Sequence, residues 1–207
     1  MNETREKQEK EKLLRSQKRW YRFYYSIVWV VALIFYPHKF RGRENIPEGP
    51  AIICAPHSNF MDPLLVSIAM GRKHFVHHMA KEELMHSALA SFFMRKAGSV
   101  FIRRGAPDIE AFKQCIRVLK DGEKLMIFPE GTRVRDPEMG SFKPGAVRLA
   151  QKLQVPVLPV YITRNKKLFR HMDVVFGEPY LVPRDKSADA DALSEDLRQR
   201  ILALEPR

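Results

Sequence analysis

The sequence predicts an α/β fold: a single, largely parallel but mixed sheet flanked by helices, preceded by an N-terminal amphipathic, aromatic helix. Three observations carry this. Short apolar runs, such as Ala51–Ala55 and Val157–Thr163, alternate with longer segments of helical period. Proline and glycine punctuate the joins, as at Pro47-Glu48-Gly49-Pro50. The run Ala51–Ala55 is apolar at every position and reads as a buried strand.

The first 19 residues are almost all polar. Seven lysines and arginines against four glutamates leave that stretch at +3. Trp20 to Tyr36 then turns apolar and aromatic, with Arg22 its one charge. The uninterrupted part, Phe23 to Tyr36, falls short of the roughly 20 apolar residues of a bilayer span. Tryptophan and tyrosine favour the headgroup region. No small-residue cleavage site precedes Pro37. Residues 1–38 are therefore expected to form a basic and aromatic membrane-associating helix, lying in one leaflet with its cations on anionic headgroups. Residues 39–207 form the remaining domain. The corresponding location is the cytoplasmic face of the cell membrane, peripheral or monotopic.

Within 39–207, Ala51–Ala55 reads as a buried strand and Asp62-Pro63 as a helix start, with the helix running to about Met70. Strand, helix and strand follow at Phe75–Met79, Glu82–Lys96 and Val100–Arg103. Asp108–Lys120 is predicted helical, with Ile109, Phe112, Ile116 and Leu119 on one face. Lys124–Phe128, Pro144–Leu153, Val157–Thr163 and Met172–Phe176 continue the alternation. Asp191–Leu204 closes it as an amphipathic helix.

A chain of 207 residues with a formal charge of +12 suits one core plus an extension and favours an anionic partner. It contains no helix-turn-helix, RNP or zinc spacing, so nucleic acid is not the expected partner. Cys54 and Cys115 lie far apart in apolar stretches and read as reduced core thiols. His77 and His78 are neighbours on a strand and should diverge, and no metal pattern is present. Lys166, Lys167 and Arg170 read as a solvated or headgroup-contacting patch.

Two segments leave the carboxyl ends of predicted strands, where ligands bind in α/β sheets. The first is Pro56-His57-Ser58-Asn59-Phe60-Met61-Asp62. A histidine can remove a hydroxyl proton, and a carboxylate on its other nitrogen fixes the tautomer. By itself this pattern is equally a structural histidine and a helix-capping aspartate. Cys54, three residues before His57, makes a Cys–His pair conceivable, although the nearby serine, histidine and aspartate explain His57 better. The second segment is Phe128-Pro129-Glu130-Gly131-Thr132-Arg133. A strand ending at proline and glycine frees backbone amides in a turn, and a hydroxyl beside a guanidinium suits a phosphate.

In this order the two motifs resemble those of the glycerophospholipid acyltransferase family, in particular 1-acylglycerol-3-phosphate O-acyltransferases. Gly42 with Asn45, Ile46 and Pro47 resembles the family's lead-in. Lys81 with Glu83 and Leu84, and Phe101 with Ile102 and Arg104, resemble later blocks, as do Phe142–Gly145 and Val155–Val160. The likeness runs from about Phe40 to Val182. It implies that His57 is the general base, that Asp62 orients it, and that Lys81 stabilises the oxyanion. It further implies that Glu130, Gly131, Thr132 and Arg133, helped by Arg104, hold the acceptor phosphate. The implied reaction transfers an acyl group from acyl-CoA or acyl-carrier protein to the sn-2 hydroxyl of lysophosphatidic acid, giving phosphatidic acid, without metal or cofactor and without an acyl-serine. Alternatives are glycerol-3-phosphate or another lysophospholipid as acceptor, or a non-catalytic protein that binds anionic lipid. Pro56 stands where the family often has asparagine, and Arg103 where it commonly has an acid. Lys81 lacks the proline and glycine that usually follow it at a distance.

Overall fold

The structure, a computed structural model, describes residues 2–82, 88–102, 108–136, 138–164, 166–185 and 187–206. Its strands are β1 (His38–Arg41), β2 (Ile52–Cys54), β3 (Val76–Lys81), β4 (Val100–Ile102), β5 (Lys124–Ile127), β6 (Val157–Ile162) and β7 (Met172–Phe176). Its helices are α1 (Asn2–Phe35), α2 (Asp62–Met70), α3 (Ala88–Lys96), α4 (Ile109–Lys120), α5 (Gly145–Leu153) and α6 (Ala190–Leu202). Among the described residues the sheet runs β1-β7-β6-β2-β5-β3-β4, parallel except for the antiparallel β6–β7 pair.

β2 lies at the centre. Ile52 pairs with Leu125 of β5 on one side and Val157 of β6 on the other. Successive side chains on a strand face opposite layers. Ile52 and Cys54 therefore pack with α4, α5 and α6, whereas Ala51, Ile53 and Ala55 pack with α2. Both layers exclude water, which is why the strand is apolar at every position. Truncating Ile53, which is wholly buried, to alanine would cost about 2–5 kcal/mol. The two layers also set the site. β2 continues into α2 on one face, and its neighbour β5 leads to α5 on the other. Their carboxyl ends thus part company, leaving the crevice expected where a sheet's connections diverge.

β1 has no apolar run to announce it. Its four residues alternate between half-buried and exposed at the sheet edge. Gly42, which follows it, has φ 71°, and a Cβ there would stand 2.1 Å from the carbonyl oxygen of Phe176. Asn45 donates to that same carbonyl at 3.1 Å. The glycine and asparagine of the lead-in thus fix the chain against β7 before it enters β2.

α4 departs from expectation. Its buried face is Ala111, Cys115 and Leu119. Ile109 and Phe112 are exposed, whereas Leu119 is buried and Ile116 packs against the core as expected. Residues 83–87 lie outside the described residues, so only the second half of the helix expected over Glu82–Lys96 can be placed.

α1 is one continuous helix of 34 residues. Tyr21, almost wholly buried, donates to the carbonyls of Ser67 and Gly71 at 3.1 and 3.3 Å. Tyr25 donates to Ile68 at 3.0 Å. The last carbonyls of a helix lack intrahelical partners, so these hydroxyls help to close the end of α2. Lys18 and Lys10 extend the contact through Glu123 and Asp121, each at 2.7 Å. One face of α1 is therefore packed on the domain, while Phe23, Ile27, Val30 and Ile34 remain exposed. No helix among the described residues is long and apolar enough to cross a membrane.

Candidate active site

β2 ends at Cys54 and delivers His57 to the crevice, while the start of α2 delivers Asp62. The His57 Nδ1 lies 3.1 Å from Asp62 Oδ2. That oxygen also accepts from the backbone amides of Ser58 and Asn59, both at 2.7 Å. Asp62 is thus the first residue of α2 rather than its N-cap, and it accepts from the turn before the helix rather than from the helix's own amides. Its carboxylate turns back over the strand-to-helix turn. Because an ionised Asp62 can only accept, the ring proton belongs on Nδ1, which leaves Nε2 with a lone pair able to accept a proton. Phe128 stacks on the imidazole, with centroids 4.3 Å apart and planes 25° apart, and so fixes its remaining rotation.

The second motif is bonded to the first. His57 N–H donates to Glu130 Oε2 at 2.7 Å, and Val134 N–H donates to the His57 carbonyl at 2.8 Å. The turn after β5 therefore grips the backbone of His57 on both sides. This places Thr132 and Arg133, both exposed, in the segment that runs alongside it.

Two expected phosphate ligands have other duties. Glu130 is buried, and its other oxygen takes Gly140 N–H at 3.1 Å and Arg164 Nη1 at 3.2 Å. A carboxylate with both oxygens occupied, and of the same charge as a phosphate, is a brace for the turn. Gly131 spends its amide on the Phe128 carbonyl at 3.0 Å. Its φ is 69°, and a Cβ there would stand 3.0 Å from the Lys143 chain. Gly131 thus shapes the turn and lets Lys143 lie across it. Lys81 ends β3, opposite Ile102 of β4, with only its backbone described. Arg104, like Arg103, lies outside the described residues.

Two residues enter the site that the sequence did not single out for it. Lys166, whose side chain is wholly buried, places Nζ 2.6 Å from Asp62 Oδ1 and donates to the Thr163 carbonyl. It is not part of a surface patch, because it supplies the countercharge for a carboxylate sealed from water. Arg164, beside Glu130, also donates from Nη2 to the carbonyls of Val134, Asp136 and Glu138, at 2.8–3.0 Å. Both follow the carboxyl end of β6, and that position was the available signal. Burial alone would raise the Asp62 carboxyl, but the His57 hydrogen bond, the Lys166 charge and bond, and the Asn59 amide together hold it below the usual carboxylate range. Burial likewise draws the Lys166 ammonium below the ordinary lysine range, against the pull of Asp62.

Cys54 faces the opposite layer, and burial pushes its thiol far up, so it is no thiolate partner for His57. His77 bonds the Gly98 carbonyl at 2.7 Å and His78 contacts Ser67 Oγ at 3.1 Å, so the two rings diverge.

His57, Asp62 and the Phe128–Arg133 turn are bonded together at the carboxyl ends of β2 and β5, and these residues fall inside a recognised unit. The protein-family profile "Acyltransferase" matches residues 38–163. The chain belongs to the acyltransferase family. It is 31% identical over 180 residues to the 1-acyl-sn-glycerol-3-phosphate acyltransferase of Bacillus subtilis, covering 81% of this chain and 87% of that one. It is 33% identical over 144 residues to the enzyme of the same name from Pseudomonas aeruginosa, with 68% of this chain matched and about half of the relative (54%) spanned. The crystal structure of the 1-acyl-sn-glycerophosphate acyltransferase PlsC from Thermotoga maritima superposes with a TM-score of 0.67 at 26% identity, covering 97% of this chain and 81% of that one. The acyltransferase α/β sheet, its helical flanks and the N-terminal helix thus agree with the fold the sequence predicts.

Proposed function

We propose that this protein transfers a fatty acyl group from acyl-CoA or acyl-carrier protein to the sn-2 hydroxyl of 1-acylglycerol-3-phosphate, giving phosphatidic acid. The observation that carries the reading is the bonding of His57 on two sides: its ring to Asp62, and its backbone to the turn ending in Thr132 and Arg133. His57 Nε2 takes the acceptor's hydroxyl proton as the oxygen attacks the thioester carbon. The tetrahedral intermediate then collapses with cleavage of the C–S bond. The imidazolium returns its proton to the departing thiolate, and Asp62 stabilises that cation in between.

Thr132 and Arg133 take the acceptor phosphate. Lys143, lying across Gly131, adds a cation, and Arg104 is proposed to do so as well. Lys81 is proposed as the oxyanion donor. Ser58 plays no covalent part, because the nucleophile belongs to the acceptor. The exposed face of α1 rests on an anionic membrane surface at the cytoplasmic side. The activity for which the relatives are named supports the acceptor, and assay with each thioester distinguishes CoA from carrier protein. Purified protein given lysophosphatidate and each thioester should yield phosphatidate by mass spectrometry. His57→Ala should lower turnover by about 100- to 10,000-fold. Full turnover in that variant would end the reading.

A further inference from the structure

The loop between β6 and β7 has two sides. Lys166 is buried against Asp62, yet two residues later Leu168 is 56% exposed and Phe169 64% exposed. Nothing in the core requires these two side chains at the tip. The tip is tied to α1: Phe169 N–H donates to the Phe35 carbonyl at 2.7 Å, and the two rings stand 5.6 Å apart. At that end of α1 begins a stripe of exposed apolar residues, Ile34, Val30, Ile27 and Phe23. Their spacing of three and four residues puts them on one face. The loop tip thus sits at the end of α1 where that exposed stripe begins. Phe60, 61% exposed in the loop that carries His57 and Asp62, stands at the same end of the sheet.

Charge decides what covers this surface. No acidic residue lies between Glu11 and Glu44, which contains the stripe, or between Glu138 and Asp173, which contains the loop. Lys167 and Arg170 flank the tip, and both are exposed. A protein partner would have to supply a large acidic and apolar face. An anionic lipid leaflet supplies both as a matter of course: acyl chains for the apolar residues and headgroups for the cations.

We propose that the β6–β7 loop is a membrane-docking element. Leu168 and Phe169 enter the interfacial zone of an anionic leaflet beside the outer face of α1. Lys167 and Arg170 lie on headgroups, and the crevice opens toward the leaflet. That the crevice then receives its acceptor from this leaflet rests on the acyltransferase reading above. The docking itself does not.

The test is co-sedimentation of the full chain with vesicles of phosphatidylcholine and phosphatidylglycerol. Leu168→Ser with Phe169→Ser should lower the partition constant by about tenfold or more, since two large apolar side chains no longer leave water. Leu181→Ser, which removes an equally exposed apolar residue next to Tyr180, at the opposite end of β6, should leave binding unchanged. Lys167→Gln with Arg170→Gln should remove part of the salt-sensitive binding. Phe169→Trp, read by fluorescence, should be quenched by brominated lipid. Equal binding by the Leu168/Phe169 variant and the parent, or an unquenched Trp at 169, would overturn the proposal. If the parent binds vesicles through this loop but transfers no acyl group, docking stands and the acyltransferase reading fails.

Discussion

Asp62→Asn is the sharpest probe of the site, because the carboxylate faces donors on every side. Oδ2 accepts from His57 Nδ1, Ser58 N–H and Asn59 N–H, and Oδ1 faces the Lys166 ammonium at 2.6 Å. An asparagine is the same size, but one of its two terminal atoms is itself a donor. Turned one way, its NH2 meets the two backbone amides, and turned the other way, it meets the ammonium. Either way Lys166 is left buried without a countercharge. Breaking a buried pair by removing one partner costs about 3–5 kcal/mol. With a urea slope of about 2 kcal/mol per molar, the midpoint falls by about 2 M.

The pH dependence has a definite sign. Without Asp62 the folded-state pKa of Lys166 drops further below its unfolded value. The destabilisation is then absent above about pH 10.4, where the unfolded lysine also loses its proton, and grows as pH falls below that until the folded value is passed. In the parent, the depressed Asp62 pKa contributes stability that is present above about pH 4 and lost as pH falls through the folded value. Adding Lys166→Met to Asp62→Asn should recover most of the stability but not the turnover, because His57 still lacks its acid. Urea melts of the two variants at pH 7 and pH 9.5, beside steady-state assays, test each part. The reasoning is refuted if Asp62→Asn melts with the parent, or if the second substitution makes it worse.

Arg164→Met should destabilise by a similar amount, about 3–5 kcal/mol, because it strands the buried Glu130 carboxylate and removes the donor to three carbonyls of residues 134–138. Faster amide exchange confined to residues 130–140 would report the loosened turn, and unchanged exchange there would contradict it. His78, lowered to about 4 by burial and by His77, is held neutral in the folded state. Its contribution to stability is unchanged above the unfolded pKa of about 6.5 and falls by about 1.4 kcal/mol per pH unit below it, reaching about 2 kcal/mol at pH 5. His78→Gln should remove that slope from melts taken at pH 7 and pH 5, and an identical slope in the variant would place its cause elsewhere.

The residues that needed only their own neighbourhood were legible from the sequence. Ala51–Ala55 and Val157–Thr163 are short apolar runs next to prolines, too short for a helix of ordinary length, and so read as buried strands. Met172–Phe176 was placed to the residue. His57, Asp62 and the Phe128–Arg133 turn lay at strand ends, where a local motif and a general rule about sheets coincide. Edge strand β1 escaped, because four alternating residues carry no run to notice. The face of α4 was legible at Ile116 and Leu119 but not at Ile109 and Phe112, because periodicity gives a stripe while packing chooses its centre.

The direction of the charged side chains was settled only by tertiary contact. Glu130 belongs to a motif that reads as ligand, yet it turns inward to His57, Gly140 and Arg164. Lys166 sits in a run of cations that reads as surface, yet it closes on an aspartate more than a hundred positions earlier in the chain. Apolar burial is written locally, because each residue's affinity for water is its own. A buried charge is stable only beside its opposite, and which opposite stands beside it depends on where separate strands end.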